Sequence, residues 1–203
     1  MKTKNTLLIT LMSVVLMTNC NTTSNETSAM NQTETTAPDQ SKSFTATILV
    51  SKSATETFDA IKNFRGWWSE DIEGNTDRLN ETFFYHYKDI HLCKLKLIEA
   101  VPETKLVYQV VENQFNFIKD QSEWVNTRLI FDITENGNAT EVRFTHEGLV
   151  PEYECYQVCN DAWSGYINNS LKNYVDTGTG NPNPKDKDGF NAELAQKWGL
   201  TTD

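Results

Sequence analysis

Residues 126–146 read NTRLIFDITENGNATEVRFTH, and this stretch decides the fold. Its two halves, 126–134 and 140–146, alternate apolar and polar side chains, as strands do when they bury one face. Asn136-Gly137 lies between the halves, and an Asn-Gly pair in that position is the strongest short-range signal of a β-hairpin. We therefore predict two adjacent antiparallel strands.

The N-terminal side of the hairpin repeats the same alternation. It predicts four further strands, at residues 44–50, 81–88, 91–98 and 105–112. A short helix is expected after the first of them, because Ser53 with Glu56 three residues later fits a capping box. That helix ends in an aromatic turn that contains Trp67 and Trp68.

The C-terminal side of the hairpin changes to a helical period after Pro151. Six side chains recur three or four positions apart and form an aromatic stripe: Tyr156, Cys159, Trp163, Tyr166, Ser170 and Tyr174. They predict one helix of about six turns. The stripe needs a concave apolar face to bury against. We therefore expect an α+β fold, in which a curved antiparallel sheet wraps around a long C-terminal helix.

This order of elements resembles the START-like (SRPBCC) superfamily of helix-grip domains. Within it, the chain resembles the branch related to the activator of the heat-shock-protein ATPase. Two segments carry the closer resemblance, at 116–124 and 144–156. The resemblance covers about residues 44–180 and implies an interior cavity between the sheet and the long helix.

Seven residues are candidates for binding a ligand in that cavity. The strand periods turn three polar side chains inward, and the resemblance adds four aromatic ones: His91, Cys93, His146, Trp67, Trp124, Trp163 and Tyr166. Polar groups that converge in an apolar cavity orient small ligands. The alternative for each histidine is a purely structural role, with its ring nitrogens bonded inside the core. The long loop with Asp120, Glu123 and Trp124 is interpreted as a lid.

The cysteines leave two further alternatives open. Cys155 and Cys159 lie one helical turn apart, so a disulfide between them needs a distorted first turn, whereas Cys93 could pair with either. His91, Cys93, His146 and Cys159 are residue types that bind zinc, although their spacing matches no known zinc pattern. We predict neither a metal nor a cofactor.

The first 20 residues predict export. Lys2 and Lys4 precede the apolar run 7–17, which is typical of a signal peptide and too short to span a bilayer. Cys20 follows directly, as in a bacterial lipobox, although Met17 and Asn19 depart from the usual residues. We expect a lipid on Cys20 that holds the protein on a membrane outside the cytoplasm, and secretion if Cys20 carries none.

The ends of the chain are predicted to lie outside the domain. Residues 21–43 are polar and form a disordered tether, and 181–203 form a polar tail. The chain has 18 Lys and Arg against 28 Asp and Glu, a net charge of −10, which argues against nucleic acid as a partner.

Three functions are therefore weighed for this chain. The first is a membrane-tethered domain that binds a small, largely apolar ligand. The second is a protein-interaction or co-chaperone-like module with a filled cavity, although export separates it from a cytosolic chaperone. The third is an enzyme that uses His146 and His91 as acid and base.

Overall fold

The structure is a computed structural model that describes residues 43–186. The predicted signal peptide, Cys20, the tether up to residue 42 and the tail beyond residue 186 lie outside the described residues. Within them, no helix is long and apolar enough to cross a membrane.

Seven strands form one antiparallel sheet. They are β1 (Phe44–Val50), β2 (Ile72–Gly74), β3 (Thr82–Tyr87), β4 (His91–Val101), β5 (Lys105–Phe115), β6 (Arg128–Asn136) and β7 (Ala139–Glu147). Their order across the sheet is β1-β7-β6-β5-β4-β3-β2. The predicted hairpin is confirmed, since Asn136 pairs with Ala139 and Gly137 takes a φ of +64°. The α+β fold class is confirmed as well.

The first helix, α1 (Ala54–Lys62), begins with the predicted capping box. The Glu56 backbone N–H donates to Ser53 Oγ, and the Glu56 carboxylate accepts from the Ser53 backbone N–H. A single 3₁₀ turn (Phe64–Gly66) follows and leads into Trp67 and Trp68. Both tryptophans are buried in the core between the sheet and the C-terminal helix.

The C-terminal helix has three parts: α2 (Tyr156–Gly165), a π-helical stretch (Tyr166–Leu171) and α3 (Lys172–Thr177). Its buried apolar residues recur every fourth position: Cys159, Trp163, Ile167, Leu171 and Val175. A spacing of four drifts around a regular α-helix by about 40° per step, and the wider π turn corrects that drift. The predicted stripe therefore omitted Ile167, Leu171 and Val175.

Residues 181–186, here called the strap, run back along the domain after the helix. The Asn183 N–H donates to Trp68 O, and Asn183 O accepts from the Glu70 N–H. The strap also bonds to Ser170 and Asp71. The predicted boundary at residue 180 thus falls just before a segment in which four residues are hydrogen-bonded to the domain: Asn181, Asn183, Lys185 and Asp186.

Candidate functional site

A cavity of about 360 Å³ lies beside α2, where β3 and β5 end and β4 begins. Fourteen residues line it: Trp68, Tyr85, Tyr87, Ile90, His91, Phe115, Phe117, Trp124, Val158, Cys159, Ala162, Trp163, Tyr166 and Asn183. Its volume is at the lower end of the range of roughly 300–1,000 Å³ that is usual for small-molecule sites.

The walls of this cavity are aromatic. The rings of Trp68 and Tyr85 stack with their centroids 4.1 Å apart, and Trp163 lies 5.2 Å from Trp68. Trp124 stacks on Trp163 at 6.0 Å, and its other neighbours meet it edge to face. Such packing fixes the positions of the rings.

The mouth of the cavity is formed by Ile90, Phe117 and Val158. These side chains are 38%, 42% and 58% exposed, although they are large and apolar. Exposed apolar residues scattered singly are ordinary, but a cluster at the opening of a pocket marks a binding surface.

His91 lies in the wall and is fixed from behind. Its Nε2 is 2.8 Å from Asn113 Oδ1, and Asn113 Nδ2 donates to Gln121 O, so Nε2 carries the proton. Burial lowers the pKa of His91 to about 4. The imidazole is therefore neutral at physiological pH.

His146 lies deeper and does not line the cavity. Its Nδ1 accepts a hydrogen bond from Trp163 Nε1 at 2.9 Å, and its Nε2 lies 2.9 Å from Thr127 Oγ1. Thr127 in turn donates to Trp124 O, so the Nε2 of His146 is the donor to Thr127. Burial lowers the pKa of His146 to about 3. Both ring nitrogens are used, which leaves none for acid and base chemistry.

A small polar group lies on one wall, where the strap meets α2. Asn183 Nδ2 donates to the Tyr166 hydroxyl at 2.7 Å and lies 3.4 Å from the Tyr85 hydroxyl. Burial raises the pKa of Tyr166, and the hydrogen bond from Asn183 and the neighbouring Tyr85 hydroxyl oppose that rise. The group is uncharged.

The structure brings together four of the seven residues that were predicted to bind a ligand, namely His91, Trp124, Trp163 and Tyr166. The other three, Trp67, Cys93 and His146, face inward as predicted but belong to the packed core behind the cavity. Trp67 Nε1 donates to Ile61 O, and this bond satisfies its polar atom inside that core.

The cysteines of the described chain are free thiols, and all three are buried. The hydrogen bond to Cys159 and burial raise the pKa of Cys155, and burial raises that of Cys93. Thiols held protonated are poor metal ligands. Between residues 43 and 186 no group of three or more His, Cys, Asp or Glu side chains could hold a metal ion, so the zinc alternative finds no site there.

The loop with Asp120, Glu123 and Trp124 is a fixed wall rather than the predicted lid. The Glu123 carboxylate accepts from the backbone N–H groups of Glu154 at 2.6 Å and Cys155 at 2.9 Å, just before α2. Trp124 is 4% exposed and packs between the rings of His91 and His146. A lid needs a segment with few buried contacts, whereas Glu123 and Trp124 are buried and anchored; Asp120 is exposed and bonds to Ser122 of the same loop.

Ten of the fourteen lining residues were not among the predicted site residues, and four of them show why. Ile90 and Val158 fall outside the periods that marked the core, and their exposure at the mouth has no sequence signal. Tyr85 lies on the aromatic run of β3, which predicts burial without distinguishing a wall from a core. Asn183 lies in a segment rich in Gly and Pro, and only the strap's return to Trp68 places it at the cavity.

Comparison with solved structures shows the fold. The chain is similar to the Aha1 dimer from Colwellia psychrerythraea, with 21% identity over 68% of this chain and 98% of that chain and a TM-score of 0.56. It is also similar to DynU16, a protein of the dynemicin biosynthetic locus, with 12% identity over 68% of this chain and a TM-score of 0.51. This chain spans about half of DynU16, 49% of its length. No protein-family model and no curated protein matches the chain.

Both neighbours have the helix-grip, START-like fold, so the fold expected from the resemblance is confirmed. At these identities the likeness concerns the fold alone. The fold does not identify the function, because this fold serves unrelated functions.

Proposed function

We propose that the domain binds a small, largely apolar ligand in the aromatic cavity beside α2. The observation that carries this proposal is the coincidence of a cavity of about 360 Å³ with an exposed apolar mouth of Ile90, Phe117 and Val158. Removing apolar surface from water lowers the free energy of the system. A ligand that covers this surface is therefore bound favourably.

Native mass spectrometry of the protein, purified without detergent, tests this proposal. The expected result is a non-covalent adduct of one small molecule per chain. Ala162→Phe places a ring in the cavity and should abolish the adduct, whereas Gln157→Phe, on an exposed position of the same helix, should retain it. Absence of an adduct, together with no uptake of added uncharged hydrophobic compounds, contradicts the proposal.

The second candidate is a protein-interaction module, which the exposed apolar mouth favours. In that case the mouth would bury a side chain of a partner. Sedimentation velocity separates the two functions when the partner is a second copy. A concentration-dependent association that Val158→Glu abolishes and Ala162→Phe leaves intact would favour interaction over ligand binding.

We also propose that the domain stands outside the cytoplasm, held by a lipid on Cys20. The support is the sequence of residues 1–20, with its two lysines and apolar run before Cys20. Growth with labelled fatty acid should label the protein, and Cys20→Ser should remove the label. A labelled Cys20→Ser variant, or an unlabelled parent protein, argues against anchoring at this residue.

A further inference from the structure

The lining of the cavity carries no charge in the part of the chain that the structure describes. None of its fourteen residues is Asp, Glu, Lys or Arg, and burial keeps the pKa of His91 at about 4. Lys88 lies over the ring of Tyr87 at 5.3 Å, but it is exposed, where water screens its charge. An anionic ligand would lose its hydration without gaining a partner of opposite charge.

The aromatic composition of the lining favours a flat ligand. Eight of the fourteen lining residues are Phe, Trp or Tyr, and the His91 ring lies among them. Aromatic pairs gain stabilisation beyond buried area when rings stack with an offset or meet edge to face. A planar aromatic molecule makes such contacts on several sides, and a flexible alkyl chain does not.

The Tyr166 hydroxyl is one of the polar groups of the lining that can bind a ligand, beside the Nδ1 of His91 and the Nε1 of Trp124. Its oxygen accepts a hydrogen bond from Asn183 Nδ2 at 2.7 Å, and the Tyr85 hydroxyl lies beside it. A phenolic hydroxyl has one hydrogen to donate, so when the Tyr85 hydroxyl donates to Tyr166, the hydrogen of Tyr166 has no further acceptor among residues 43–186. A ligand oxygen in the cavity would fill this role.

From these three observations we propose that the ligand is a planar aromatic molecule without negative charge, whose acceptor oxygen takes the hydrogen of the Tyr166 hydroxyl. This inference rests on the ligand binding proposed above. The cavity of 360 Å³, at about 30 Å³ for each water-sized group, corresponds to about a dozen non-hydrogen atoms. Two fused rings with a short substituent have that size.

Equilibrium dialysis with probes of matched size tests the inference. The probes are 2-acetylnaphthalene, 2-isopropylnaphthalene, 2-naphthoate and undecan-2-one, which vary the oxygen, the charge and the planarity in turn. We expect 2-acetylnaphthalene to bind about fivefold more tightly than 2-isopropylnaphthalene, because a neutral hydrogen bond adds a modest net term. We expect 2-naphthoate to bind about 100-fold more weakly, because its carboxylate is desolvated without a partner.

The variant Tyr166→Phe isolates the hydroxyl. It should bring 2-acetylnaphthalene to the affinity of 2-isopropylnaphthalene and leave the hydrocarbon unchanged. Tyr156→Phe, on the same helix but outside the cavity, is the matched control and should change neither affinity. Since the hydrocarbon reports on the intact cavity, misfolding of Tyr166→Phe would be recognised by the loss of both probes.

The outcomes separate this inference from the proposed function. If undecan-2-one or 2-naphthoate binds as tightly as 2-acetylnaphthalene, or if Tyr166→Phe keeps the preference for the ketone, the inference is overturned while ligand binding stands. If no probe binds and native mass spectrometry finds no adduct, both fail.

Discussion

His91 lies in the cavity wall and His146 in the core behind it, and both are buried. Both are neutral because burial lowers their pKa values to about 4 and about 3, and the ring of Trp124 lies between them. An unfolded histidine has a pKa near 6.5. Between the folded and the unfolded pKa of each histidine, the unfolded chain binds a proton on that residue and the folded chain does not.

This difference predicts an acid-labile fold. The contribution of the two histidines to the free energy of unfolding is fully present above pH 6.5. It falls as the pH drops towards 4, because protons then favour the unfolded state. Each histidine contributes about 1.4 kcal/mol per pH unit below 6.5, so the free energy of unfolding should fall by about 2 to 3 kcal/mol between pH 7.5 and 5.5. Urea denaturation at the two pH values measures the fall. His146→Gln should reduce it by about half, and a pH-independent free energy would contradict the assignment.

Glu123 provides a second prediction at the scale of one residue. Its buried carboxylate accepts from two backbone N–H groups that precede α2, at Glu154 and Cys155. Glu123→Gln keeps the shape but loses the charge-assisted bonds, so the free energy of unfolding should fall by about 1 to 2 kcal/mol. Chemical denaturation measures it.

Glu154→Gln is the control, because that carboxylate is exposed and should matter less. Equal losses in Glu123→Gln and Glu154→Gln would show that the buried cap does not stabilise the helix.

At the scale of elements, the C-terminal helix depends on close contact with the turn after α1. A Cβ added at Gly66 would lie 2.3 Å from the Tyr174 ring, closer than atoms approach without displacement. The Tyr174 hydroxyl accepts from Asn63 Nδ2, which fixes the ring over this turn. A side chain at residue 66 therefore requires the Tyr174 ring to move.

Gly66→Ala should therefore destabilise the protein by about 1 to 3 kcal/mol. Gly165→Ala is the matched control, since nothing lies within 4 Å of its added Cβ, and it should be neutral or slightly stabilising in the helix. Thermal unfolding of both variants measures the difference.

A double-mutant cycle with Tyr174→Ala identifies the cause, because removal of the ring should relieve most of the loss in Gly66→Ala. Additive losses would contradict this explanation.

The elements show what periodicity can predict. Alternation located β6 and β7 and the Asn136-Gly137 turn, because one buried face and one turn type leave a clear pattern. It missed β2, since three residues are too few to show a period. It also missed the π-helical stretch. Apolar residues at every fourth position stay on one buried face only when part of the helix is wider than an α-helix.

At the scale of the whole molecule, the candidate site was only partly predictable. His91, Trp163 and Tyr166 were assigned from the inward faces of their elements and the resemblance, and they line the cavity. Periodicity gives the face of an element but not the depth, so Cys93 and His146 were assigned with them although they lie in the core. Depth depends on how the sheet, helix and strap meet.

The strap joins the end of the C-terminal helix to the segment that follows α1. Besides the bonds to Trp68 and Glu70, it carries Asn183 into the cavity wall beside Tyr166. A chain that ends at Gly180 should therefore unfold more easily than one that ends at Asp186, by about 2 kcal/mol or more for the lost hydrogen bonds. It should also bind 2-acetylnaphthalene more weakly. Because both chains lack residues 187–203, the comparison isolates the strap, and equal stability and affinity would mean that the strap neither holds the fold nor shapes the site.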